Sequence, residues 1–297
     1  MRLVTRGDLD GLTCAVILSV NEDIEDIVLI HPQDITDGRA DIRSGDVIAN
    51  LPYHPNCSMW FDHHMHTATS HFPLRKVPGV FAEADSAARL VYEHYGGEKA
   101  MPEFAELVRE TDRLDAAKLT PEDVLSPQRY IKLGFTLDGR SGLGTFETYF
   151  THLVDLLKMG LSIERLLEDF SIAKRCEVIE SEGASFREDL RRCSRVDGNV
   201  VITDFRNLEH PPIGNRFLIY ALYPEVNVSL RLHWGPGRAY PMLLLGHSIF
   251  NRTCKSNVGE LAARYGGGGH RGAGSVPLQA DAEQQIQMVI SELKANG

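Results

Sequence analysis

The N-terminal third of the chain alternates short apolar runs with helix-like segments, and no other feature limits the fold so tightly. RLVT reads as a strand, RGDLDG as a loop and LTCAVILSV as a largely apolar helix; DIVLIHP, GDVIANLP and CSMWFDHH follow as short buried strands. DSAARLVYEHYGG closes the series as a helix that Asp85 or Ser86 caps and a glycine pair ends. Strands that alternate with helices predict an α/β fold with a largely parallel sheet, covered on both faces. In such sheets ligands bind beyond the carboxyl ends of the strands. Asp8, Asp10, Asn50 and the triplet Asp62-His63-His64 each follow an expected strand end, so one crevice can gather them.

Residues 147 to about 192 read as mostly helical, with Ile163, Leu166, Leu167, Phe170 and Ala173 spaced for one apolar stripe and a break near Met159-Gly160. VDGN then offers a hairpin turn, followed by VVITDF, VNVSLRLHW and PMLLLGHSIF, strand-like segments of a second, smaller α/β domain. The expected division is residues 1–150 for the first domain, 151–195 for a helical connector and 196–297 for the second domain.

At 297 residues and 43% hydrophobic content the chain can fill two cores. Its net charge of -10 argues against long-range attraction of nucleic acid to the whole surface, so any phosphate binding must be local. Cys14, Cys57, Cys176, Cys193 and Cys254 are scattered and contain no Cys-x-x-Cys pair, which reads as small buried free thiols in a reducing compartment. The start MRLVTRGDLDG carries acids where a signal peptide needs an apolar run, and no segment approaches the ~18 apolar residues of a membrane span. A cytoplasmic protein with no membrane partner is the expectation.

Asp8 and Asp10, two apart on the expected loop, can present both carboxylates to one small volume, where like charges are costly without a cation. The alternative is a solvated Asp-x-Asp-Gly turn. His63 and His64 point to opposite sides if the strand persists, so at most one of them would join a metal while its neighbour faces a substrate or the core, a buried, hydrogen-bonded histidine being the alternative for either. His66 and His71 read as a solvated loop, and no spacing argument recruits His31, His54 or His247. YGGGGHRGAG, after the helix-like VGELAARY, allows the backbone at Gly267, Gly268 and Gly269 to approach an anion closely, with His270 and Arg271 as side-chain donors. Arg252, Lys255, Arg264 and Arg271 face only Glu260 in this stretch, a local phosphate-attracting patch in an acidic chain.

Together, Asp8-Leu9-Asp10, the triplet Asp62-His63-His64, and Gly266 to Gly269 with His270 before GAG resemble the DHH phosphoesterases that carry a C-terminal DHHA1 domain. The match runs in the right order over nearly the whole chain. This family includes RecJ-like single-strand exonucleases, nano-RNases, cyclic-dinucleotide phosphodiesterases and, with another C-terminal domain, manganese pyrophosphatases. The resemblance implies a parallel-sheet DHH domain joined by a helical connector to a smaller α/β DHHA1 domain. It assigns metal binding to Asp8, Asp10, His63 and the position of Asn50, phosphate contact to His64, and a steering role to Asp62. It also calls for a further aspartate after a helix; LVRETDRLDAA offers Asp112 first and Asp115 as the alternative. Arg252, Gly267 to Gly269, His270 and Arg271 would bind substrate. Implied with these are one or two Mn2+ ions, with Mg2+ next, a short oligonucleotide or phosphorylated small molecule as substrate, and room for a homodimer.

Two residues depart from the family pattern. Arg6 stands where many members have histidine, and Asn50 where a metal-bridging aspartate is usual. An arginine about 6 Å from a divalent ion would cost roughly 5 kcal/mol at an effective dielectric near 20, so Arg6 must turn away, bind phosphate or weaken one metal. One firm metal site and a weak or substrate-filled second one is the expectation. Rival readings are a haloacid-dehalogenase phosphatase, which leaves both histidines unexplained, a non-catalytic nucleotide-binding protein, and a pyro- or polyphosphate hydrolase.

Overall fold

The computed structural model describes residues 1–64, 72, 74–139, 143–209, 212–278 and 282–296; His66 and His71 lie outside them. The chain divides into two compact units, Met1–Lys118 with Pro127–Val178, and Leu119–Ser126 with Ile179–Gly297.

In the first unit β1 (Arg2–Thr5), β2 (Asp26–Leu29), β3 (Asp46–Ala49), β4 (Cys57–Asp62) and β5 (Gly79–Phe81) form an all-parallel sheet in the order β2-β1-β3-β4-β5. Burial on both faces explains the continuous apolar runs. Leu3, Val47, Ala49 and Phe61 face one cluster, with Leu12, Val16, Val91, Leu107 and Phe150 from helices, while Val4, Ile48 and Trp60 face another with Ile35 and Tyr53. The register agrees: Val4 pairs with Ile48 and Ile48 with Trp60. The strand order reverses between β1 and β3, and a crevice opens at such a switch point. The residues that follow β1, β3 and β4 are Arg6 to Asp10, Asn50 and His63-His64.

One expectation is corrected here. RGDLDG is not wholly a loop, because the first helix spans Leu9–Asn21 and Asp8 is its N-cap, accepting from the Gly11 amide. Asp10 therefore stands on the first helical turn. The segment 151–195 also splits: the helices Phe146–Lys158 and Ile163–Glu168 pack Phe150, Leu153, Leu157 and Leu166 into the first core. The helix Phe170–Cys193 alone runs on from one unit into the next.

The second unit is a six-stranded mixed sheet, β10-β11-β9-β8-β7-β6, built from β6 (Ser194–Asp197), β7 (Val200–Asp204), β8 (Val228–Trp234), β9 (Pro241–His247), β10 (Gly268–His270) and β11 (Ala273–Pro277). Asp197 pairs with Val200 across the VDGN turn, as expected. Strand alternation turns Val200, Ile202, Leu230, Leu232, Leu243 and Leu245 onto the helices Val258–Arg264 and Ala282–Ala295, which contribute Leu261, Val289 and Leu293. An α/β fold with a parallel first sheet and a second α/β unit is what the alternation predicted. Among the described residues, no helix is long and apolar enough to cross a membrane.

Candidate metal centre

His63 leaves β4 at its carboxyl end with its Nδ1 3.1 Å from the carbonyl oxygen of Ala84. A carbonyl only accepts, so Nδ1 carries a proton and Nε2 is the ring nitrogen left to face the other groups. That Nε2 is buried, has no hydrogen-bond partner, and lies 3.2 Å from Asp115 Oδ2 and 3.6 Å from Asp10 Oδ2. Two carboxylates converge here on a buried imidazole nitrogen that has no hydrogen-bond partner, a set that a cation can bridge. The ligand atoms of Asp10, His63 and Asp115 all fall within 4.8 Å of one another.

Asp10 is fully buried and is seated on the start of the helix Ala87–His94, accepting from the amides of Ala87 at 3.0 Å and Ala88 at 2.7 Å. Those two amides belong to the orphan donors of the helix N-terminus, whose dipole favours an anion. Burial, then the charges of Asp115 and Asp8, still push the Asp10 carboxyl well above the ordinary carboxylate range, against the pull of the two amides. Burial and the Asp8 charge raise Asp115 as well, although His63 opposes this. A divalent ion offsets those repulsions, so the donor set fits Mn2+ or Mg2+ through two hard carboxylates and one imidazole.

Of the two aspartates at the end of the helix Ala105–Asp115, it is Asp115 that reaches this group. Asp112, placed first by sequence order, accepts from Ser86 Oγ at 2.6 Å and from Arg89 Nε and Nη2 at 3.0 and 2.6 Å. It fastens the helix Ala87–His94, and with it the amides under Asp10, to the helix Ala105–Asp115. The Ala84 carbonyl and the Ala87 and Ala88 amides were not anticipated from sequence. The only hint was Ser86, which does cap that helix through the Arg89 amide.

Asp62 steers His64 rather than His63. Its Oδ1 lies 2.8 Å from His64 Nδ1 and accepts from the His63 amide at 2.9 Å. Burial works against a charged His64, but the hydrogen bond and charge of Asp62 outweigh it and raise the imidazole above its ordinary pKa. Asp8 is engaged by other partners: Oδ1 accepts from Gly11 N at 2.9 Å and Asn50 Nδ2 at 3.0 Å, and Oδ2 lies 3.2 Å from Arg6 Nε. Asn50 is fully buried in a left-handed conformation at φ 57, which asparagine tolerates better than most residues.

In the second unit the glycine segment is a hairpin rather than an open cradle. Gly268, Gly269 and His270 form the edge strand β10, paired with Ser275, Gly274 and Ala273, and Arg271-Gly272 make its turn. His270 Nδ1 accepts from the Gly272 amide at 3.2 Å, while His270 and Arg271 are exposed. Arg252 is exposed, its Nε donating to the Ile249 carbonyl. Arg264 is paired with Glu292, which removes one cation from the expected patch.

Mn2+ should stabilise the protein in a pH-dependent way. Asp10 and Asp115 have folded pKa values above their unfolded ones, so without an ion their contribution to stability falls as pH rises above the ordinary carboxylate value of 3.8. The ion competes with those protons. At 100-fold excess over its Kd it should add about 2.7 kcal/mol near pH 7.5 and distinctly less near pH 5, read as the Tm increment at each pH. An equal increment at both would show that the ion binds elsewhere.

No family model matches the sequence, and no curated protein does. Among solved structures, a pGpG-specific phosphodiesterase, PggH from Vibrio cholerae, is 38% identical, with 100% of this chain and 99% of that chain covered at a TM-score of 0.84. An exopolyphosphatase-related protein from Bacteroides fragilis (14% identical, TM-score 0.55) and the exonuclease RecJ bound to manganese (12%, 0.51) share the fold, each over 99% of this chain and over 91% and 89% of their own.

Proposed function

The chain belongs to the DHH phosphoesterases, and from that membership we propose that it is a metal-dependent phosphodiesterase that hydrolyses short linear oligonucleotides, pGpG foremost. The observation that carries this reading is the buried His63 Nε2, without a hydrogen-bond partner and 3.6 Å from Asp10 Oδ2 and 3.2 Å from Asp115 Oδ2. Asp10, His63 and Asp115 would hold a divalent ion, Mn2+ before Mg2+. When bound, the ion supplies Lewis acidity to the phosphoryl group and to the attacking water.

The protein's own residues do the rest. The Ala84 carbonyl fixes the His63 tautomer, and the Ala87 and Ala88 amides orient the Asp10 carboxyl and favour its ionised form against the burial that opposes it. Asp62 keeps His64 oriented and readily protonated, so that its ring can donate to a phosphoryl oxygen or hand a proton to the departing alcohol. In the second unit, taken by itself, His270 and Arg271 are exposed at the tip of the glycine hairpin, a place where an anion can approach.

The test is a hydrolysis panel of pGpG, longer oligonucleotides to the pentanucleotide, cyclic dinucleotides, nucleoside 3',5'-bisphosphate and pyrophosphate, with Mn2+ titrated. pGpG should be cleaved fastest, and His63→Ala should abolish its turnover. Binding of pGpG with no turnover at any Mn2+ concentration would select a non-catalytic nucleotide-binding protein. Faster cleavage of pyrophosphate would place the chain with the pyrophosphatases instead.

A further inference from the structure

Beside the three converging donors lies a fourth carboxylate that already has its partners. Asp8 spends Oδ1 on the Gly11 and Asn50 donors and Oδ2 on the Arg6 guanidinium. Arg6 and Asp8 side chains are each 32% exposed, so the pair borders the site rather than lying under it. Among the described residues Arg6 makes no other ion pair or hydrogen bond, which leaves its two Nη groups as donors. Asn50, fully buried, has its Oδ1 without a partner although its Nδ2 is engaged.

We propose that this centre carries one divalent ion, at Asp10, His63 and Asp115, and that Arg6, anchored on Asp8, is a built-in second cation that meets the substrate phosphate. The inference rests on the metal-site reading above and adds ion number and a phosphate-facing residue to it. A guanidinium on Asp8 repels a second divalent ion there, and an amide donor from Asn50 takes up a lone pair such an ion would need. A planar guanidinium with two Nη groups to spare is suited to two oxygens of one phosphate. Unlike a second ion, it cannot dissociate.

Ion content measures this directly. The full chain, dialysed against Mn2+ and assayed by mass spectrometry, should hold one ion per chain with the six-line electron paramagnetic resonance signal of isolated Mn2+. Arg6→His combined with Asn50→Asp removes the fixed cation and sets a second carboxylate about where Asn50 Nδ2 now meets Asp8 at 3.0 Å. Aspartate also tolerates the left-handed backbone there. That variant should hold two ions and show an exchange-broadened signal. Two ions in the unaltered chain, or one in a variant whose circular dichroism is unchanged, would overturn the proposal. No ion in the unaltered chain would instead sink the metal-site reading on which it rests. Should the double variant not fold, Arg6→Gln decides: with Mn2+ present, its calorimetric affinity for inorganic phosphate should drop at least roughly 10-fold while ion content stays at one. Unchanged phosphate affinity would also refute the role of Arg6.

Discussion

Asp115→Asn should lower phosphodiester turnover roughly 10^3-fold and weaken divalent-ion binding with it, because the proposed centre loses a charged oxygen donor worth several kcal/mol. Asp112→Asn, three residues earlier on the same helix, should do something different. Its carboxylate neutralises Arg89 and accepts from Ser86, 13% exposed and far better paired than Asp115. Its loss should cost about 1–2 kcal/mol of stability, because Arg89 and Ser86 lose a charged hydrogen-bond acceptor although Glu93 still faces Arg89, while the bound divalent ion is retained. Calorimetry of Mn2+ binding and Tm on the two variants separates them. If Asp112→Asn lost the ion and Asp115→Asn kept it, the centre described here would be wrong in its third ligand.

The second large effect lies in the glycine hairpin. Gly269 has φ 153, and a Cβ there would stand 2.2 Å from the Ala273 carbonyl oxygen, so Gly269→Ala must part β10 from β11. Backbone strain and overpacking together should cost about 3 kcal/mol, lowering Tm by roughly 6–12 °C. Gly268→Ala is the control. Its Cβ would meet nothing within 4 Å, and the surface change should stay within about 0.5 kcal/mol. Equal destabilisation by both would mean that the hairpin pairing is not what demands glycine.

These two contrasts also mark where reading the chain succeeded and where it stopped. β1 to β4 were legible because strands buried on both faces are continuously apolar, and the strand-end acids and histidines followed from that pattern. The three-residue β5 was not, since Gly79–Phe81 is too short to carry a period. Asp8 was taken for a loop residue because its partner as a cap is a backbone amide, which no side-chain pattern reveals. Asp112 and Asp115 share a helical face, and spacing cannot say which carboxylate meets a histidine fifty residues away and which meets Arg89. The glycine run looked like an open anion cradle because glycine leaves no side-chain pattern; its pairing with AGSV depends on the close approach of Gly267 and Gly269 to the backbone of β11. Arg6 and Asn50 stood out as departures, but only coordinates show them acting together on Asp8.

The three proposed ion donors sit at positions 10, 63 and 115, on a helix start, a strand end and a helix end. No fragment that stops short of residue 115 owns the whole set. During synthesis, Asp10 can meet the Ala87 and Ala88 amides and His63 the Ala84 carbonyl within the first hundred residues, but the full donor set forms only once the helix carrying Asp115 has emerged and docked. Completion of this donor set is then a late event in the folding of the first unit.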